Sequence, residues 1–118
     1  MEAFIEWEMG FAPIFEALAA ALKQCDATAE RRWAPALVAN ADQLRAASKS
    51  VGEWSSEHPS PDGDVDVLLT RVARSYIYAA RTLESVALGS SSTWLVVDRE
   101  LHGLRKMVAK VNAMLLQK

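Results

Sequence analysis

Cys25, His58 and His102 are the side chains with the widest chemical reach in this chain. A thiol nucleophile needs a base within hydrogen-bond reach, and nothing local supplies one. Cys25 falls at a core-facing position, His58 in a proline-rich stretch, and His102 on the outer side of its segment. A packed thiol and two solvated imidazoles are the expectation. Asp98 and His102 stand four residues apart with Glu100 between them. That spacing suits a metal chelate, but it equally suits an ordinary ion pair on a helix surface. Two ligands are too few for a closed zinc site. Helical di-iron proteins carry Glu-x-x-His on two helices, and this chain has no such motif. It also lacks a glycine-rich phosphate loop and a Gly-x-Ser-x-Gly elbow. No catalytic, metal or cofactor residue is therefore assigned, and the expectation is a protein that is not an enzyme. An enzyme built on Asp98, Glu100 and His102 would need one cleft holding all three.

The charge distribution carries more information. Residues 1–64 hold five Lys/Arg against eleven Asp/Glu, a net of −6, and residues 65–118 hold eight against four, a net of +4. In the second half Arg71, Arg74, Tyr78 and Arg81 recur at helical spacing, two residues out of phase with the apolar positions. Arg99, Lys106 and Lys110 form an equivalent outer stripe further on. On neighbouring helices the two stripes would merge into one basic face carrying a tyrosine. A solvated face balanced by acids elsewhere has the same composition. The functional reading is a docking surface for an acidic protein segment or for the acidic half of another copy. The whole chain is net negative, at −2, whereas nucleic-acid-binding domains are usually basic overall; no nucleic-acid partner is expected.

The elements that must position these residues are read from apolar periodicity. Four stripes alternate steps of three and four, which puts one apolar face on each of four helices. The first runs from Phe4 through Trp7, Phe11, Ile14, Leu18 and Ala21 to Cys25, and the second from Trp33 through Leu37, Asn40, Leu44, Ala47 and Val51 to Trp54. The third runs from Val65 through Leu69, Val72, Tyr76, Ala79 and Leu83 to Val86, and the fourth from Trp94 through Val97, Leu101, Leu104, Val108 and Val111 to Leu115. Asn40 alone breaks the apolar rule on these stripes. A buried amide must find partners, so Asn40 is expected to fix register or to touch a ligand.

Boundary residues place the helices at roughly 2–25, 27–54, 64–88 and 93–117. Asp26 or Thr28 can cap the second helix, and Asp62 or Asp64 the third. Gly89 suits a left-handed C-terminal position, and one of Ser90 to Thr93 caps the fourth. Pro13 and Pro35 fall inside helical pattern and predict kinks. The first helix either bends at Pro13 or breaks near Gly10–Pro13, and a continuous helix is favoured. Residues Ser55 to Gly63 form the one longer loop. Short connections elsewhere give an all-α, antiparallel up-down-up-down four-helix bundle in one domain, 1–118. Two hairpins completing their core by dimerisation are the alternative. Trp7 and Trp54 should then plug one end of the core, with Trp33 and Trp94 at the other.

Composition agrees with a folded domain: 118 residues, 51% apolar and 24% charged. The single cysteine fits a reducing compartment. The start is acidic where a signal peptide is basic, and no apolar run spans a bilayer. A cytoplasmic chain with no membrane contact is expected. No family motif maps onto the sequence. The Trp-x-Gly turn of small helical-hairpin secretion substrates is not met, since Trp33 precedes Ala34-Pro35 and Trp54 precedes Ser55-Ser56. The functional expectation is a non-enzymatic interaction module using the basic face. An apolar ligand held in the core near Pro13 and Pro35, beside Phe11, Phe15 and Trp33, is the alternative.

Overall fold

The structure, a computed structural model, describes residues 2–89 and 94–116. Four helices, α1 (Glu2–Arg31), α2 (Leu37–Glu57), α3 (Gly63–Ala87) and α4 (Trp94–Leu116), enclose one core. A short 3-10 turn, Ala34–Ala36, leads into α2. Contacts run α1–α2, α2–α3, α3–α4 and α4–α1 around the bundle, with α2 against α3 the most extensive. The four helices of one chain thus make the antiparallel bundle that the stripes predict. Among the described residues no helix is long and apolar enough to cross a membrane.

The first boundary differs from expectation. The first helix continues past Cys25 to Arg31, and α2 starts at Leu37 rather than near residue 27. The stripe through Leu18, Ala21 and Cys25 extends to Thr28 and Ala29, both buried. Asp26 caps nothing; its carboxylate accepts from Arg105 Nη1 on α4 at 2.6 Å. Termination falls at Arg32, which is left-handed with φ 54°. The Arg32 N–H donates to the Ala29 carbonyl at 3.1 Å and the Trp33 N–H to the Thr28 carbonyl at 3.4 Å. This is the paired bonding of a Schellman stop, usually built on glycine. Here the arginine side chain is used as well. Its guanidinium holds Asp98 of α4 through two hydrogen bonds of 2.8 and 2.9 Å and lies 5.5 Å from the Trp94 ring centroid.

Pro35 therefore kinks no helix. It sits in the 3-10 turn before α2, where its missing N–H leaves no bond unmade. Pro13 does lie inside continuous α1, so the Met9 carbonyl loses its usual donor. At the second connection α2 runs to Glu57, three residues beyond expectation, and the Asp62 side chain caps α3 by accepting from the Asp64 N–H at 2.9 Å. Gly89 is left-handed, φ 72°, as expected. The caps proposed among Ser90 to Thr93 lie outside the described residues.

Trp7 and Trp54 close one end of the core, 5.3 Å apart and edge to face. Trp7 stacks on Phe11, and its Nε1–H donates to the His58 carbonyl at 2.6 Å. The His58 ring in turn stacks on Trp54. This closure needs Gly10, because a Cβ there would lie 3.0 Å from the Trp54 ring. Gly10→Val should cost about 1–3 kcal/mol by displacing the indole, read by urea unfolding, whereas Gly52→Val, with open space around it, should cost less. At the other end only Trp94 packs on the core. Trp33 precedes the 3-10 turn in an extended conformation and is 59% exposed, so it is no plug.

Candidate functional site

The basic face forms because α3 and α4 are neighbours. Their core-facing residues, Val72, Tyr76, Ala79 and Leu83 on α3 and Val97, Leu101, Leu104 and Val111 on α4, are buried, and the out-of-phase positions turn outward. Arg71, Arg74, Ser75 and Tyr78 line one wall of a groove of 500 Å³, with Glu100 and Met107 of α4 opposite. The Arg81 guanidinium lies 5.9 Å from the Tyr78 ring centroid. Arg99, Lys106 and Lys110 are exposed on α4 but do not line the groove. Three of the seven nominated residues thus share the cavity, Arg81 lies over the ring of one of them, and Arg99, Lys106 and Lys110 are exposed outside its lining.

Electrostatically the face stands apart. Arg32, Arg45 and Arg105 are each committed to a carboxylate on another helix: Asp98, Glu84 and Asp26. Hydrogen bonds from these arginines hold Asp98 and Glu84 below the usual carboxylate range. None of Arg71, Arg74, Arg81, Arg99, Lys106 and Lys110 makes an ion pair among the described residues. Glu100 lines the groove but lies beyond ion-pair distance of its arginines. Sequence reasoning missed Ser75 and Met107 as lining residues; the small hydroxyl and the flexible thioether gave no signal of their own.

The residues considered for catalysis are not gathered. Glu100 opens on the groove, whereas Asp98 faces the α1–α2 turn through Arg32 and His102 is exposed elsewhere on α4. Among the described residues no three of His, Cys, Asp and Glu are placed to hold a metal. Cys25 is fully buried, and desolvation, with the nearby Asp26 charge, pushes its thiol up to about 12. Native protein should therefore resist a disulfide reagent at neutral pH, and labelling should follow global unfolding; rapid stoichiometric labelling of folded protein would contradict the burial.

Asn40 is buried as expected. Its Nδ2 donates to Gln43 Oε1 at 3.3 Å, and its Oδ1 has no hydrogen-bond partner among the described residues. Ser48, not singled out in the sequence, is also buried and donates to the Ala73 carbonyl at 2.8 Å, tying α2 to α3. Pro13 and Pro35 are both exposed. Phe11 and Phe15 border a small cleft of 190 Å³ against Leu115 of α4, to which Trp33 does not contribute. Comparison with protein-family models, curated proteins and solved structures finds no match for this chain.

Proposed function

We propose that this chain is a non-enzymatic protein-interaction module whose α3–α4 face docks an acidic protein segment. The observation that supports this most is the set of six cations on the α3–α4 side with no carboxylate partner among the described residues, beside three arginines that are paired across helices. A cation without an internal partner contributes little to the fold, and surface pairs are weak even when formed. A row of them at a groove instead raises the local concentration of an anionic partner and speeds its association. Tyr78, 66% exposed, adds an amphipathic ring of the kind enriched at interfaces. Arginine suits carboxylate recognition because its planar fork binds both oxygens.

The test uses a glutamate-rich peptide as probe, titrated into the full-length chain at low and at moderate salt. Binding should weaken with salt and be lost when Arg74, Arg81 and Lys106 are reversed to glutamate. Retention of wild-type affinity by that folded variant would contradict the proposal.

A further inference from the structure

Residues 65–118 hold four acids, Asp66, Glu84, Asp98 and Glu100. Three of them are engaged. Asp66 accepts from the Ser60 N–H at 2.9 Å, Glu84 holds Arg45 of α2, and Asp98 holds Arg32 at the end of α1. Glu100 alone of the four makes neither an ion pair nor a side-chain hydrogen bond among the described residues. Its own helix offers it no cation, since Val96, Val97, Gly103 and Leu104 occupy the positions one turn away. Yet it lines the α3–α4 groove with Arg71 and Arg74, and it is already half-buried there. The groove therefore presents two unpaired guanidiniums from α3 and one unpaired carboxylate from α4.

A groove of mixed sign selects differently from a uniformly basic one. An occupant that covers it strips water from all three charges. The arginines gain from carboxylates on that occupant, but Glu100 does not. A carboxylate covered without a donor costs free energy, and an acid placed against it adds repulsion. The cost is offset only where the occupant sets an ammonium or a guanidinium against Glu100. A uniform polyanion, such as a nucleic-acid backbone, has neither. Glu100 thus acts against such partners as an unpaired charge that makes the wrong complex unfavourable. Met107, which lines the groove from the same helix, adds a flexible apolar surface suited to the aliphatic stem of a lysine.

We propose that the α3–α4 groove takes an acidic protein segment with a basic residue set among its acids, the acids meeting Arg71 and Arg74 and the cation meeting Glu100. The inference rests on the docking function proposed above and narrows its partner. Glu100 is the residue that sets specificity.

Fluorescence anisotropy with labelled peptides and the full-length chain tests it, at one low salt concentration. One peptide contains glutamate and serine only. The others match it in length and net charge, and each carries a single lysine at a different central position, balanced by one further glutamate in place of a serine. Wild type should bind the best-placed lysine peptide about tenfold more tightly than the glutamate–serine peptide. In Glu100→Gln that preference should disappear, with the glutamate–serine peptide bound more tightly than by wild type. The amide keeps the side chain's size, and circular dichroism should show unchanged helix content. Wild-type binding that is equal or weaker for every lysine peptide would overturn the inference and leave the docking surface standing. So would a lysine preference that survives in Glu100→Gln, since the cation would then be met elsewhere. No binding of any peptide by wild type would overturn the docking function and the inference together.

Discussion

Tyr76→Ala should lower the unfolding free energy by about 3–5 kcal/mol, and Tyr76→Phe by about 1 kcal/mol. Tyr76 is fully buried among all four helices' core residues, and its hydroxyl donates to the Leu18 carbonyl of α1 at 2.8 Å. Burial pushes the phenol well above its usual pKa, so it stays protonated and keeps its role as donor. The two substitutions separate two contributions. Phenylalanine keeps the ring and removes only the hydrogen bond to a carbonyl that already serves the α1 ladder. Alanine empties the ring's space in a core that cannot collapse around it. Domains of this size are stable by only about 5–15 kcal/mol, so the alanine variant should lose a large share of the total. Urea unfolding followed by circular dichroism reads both. Equal losses for the two variants would mean that the hydroxyl, and not the packing, holds α3 against α1.

The largest functional effect should come from the basic face. Reversing Arg74, Arg81 and Lys106 to glutamate should weaken binding of a glutamate-rich peptide by about tenfold or more, because each change removes an attraction and adds a repulsion. The same positions changed to keep charge, Arg74→Lys and Arg81→Lys, should lose less, and the difference measures how much the planar guanidinium contributes. All three residues are exposed and make no ion pair among the described residues, so helix content and melting should be close to wild type. Binding loss in a folded variant then speaks for the surface.

Most of the core was legible in the sequence. Phe11, Leu18, Leu44, Leu69, Leu83 and Leu101 fall on the stripes and are fully buried or nearly so, because a 3.6-residue period leaves one face for the interior. The Trp7–Trp54 closure followed from antiparallel order alone. The turn between α1 and α2 was misread for a physical reason. Asp26 and Thr28 are capping residue types, but capping chemistry is local, and the burial of Thr28 and Ala29 against the bundle prolongs α1 for another turn. Trp33 fits the apolar period of α2 and is nevertheless outside that helix, since a period cannot reveal that Arg32 turns left-handed. What makes Arg32 acceptable there, Asp98 and Trp94, lies more than sixty residues away. The pairing of Arg45 with Glu84 was equally invisible, because charge spacing along one helix does not say which helix comes alongside. The groove between α3 and α4 was half legible: periodicity placed the arginines, while Ser75, Glu100 and Met107 entered only with the packing of the two helices.

The most direct test of the proposed interaction surface is a backbone NMR titration of the full-length chain with the glutamate-rich peptide at low salt. The largest shifts should fall on α3 around Arg71, Arg74, Tyr78 and Arg81 and on α4 from Arg99 to Lys110, and they should fade as salt is added. Shifts centred on α1 and α2, or no shifts on α3 and α4 at saturating peptide, would contradict it.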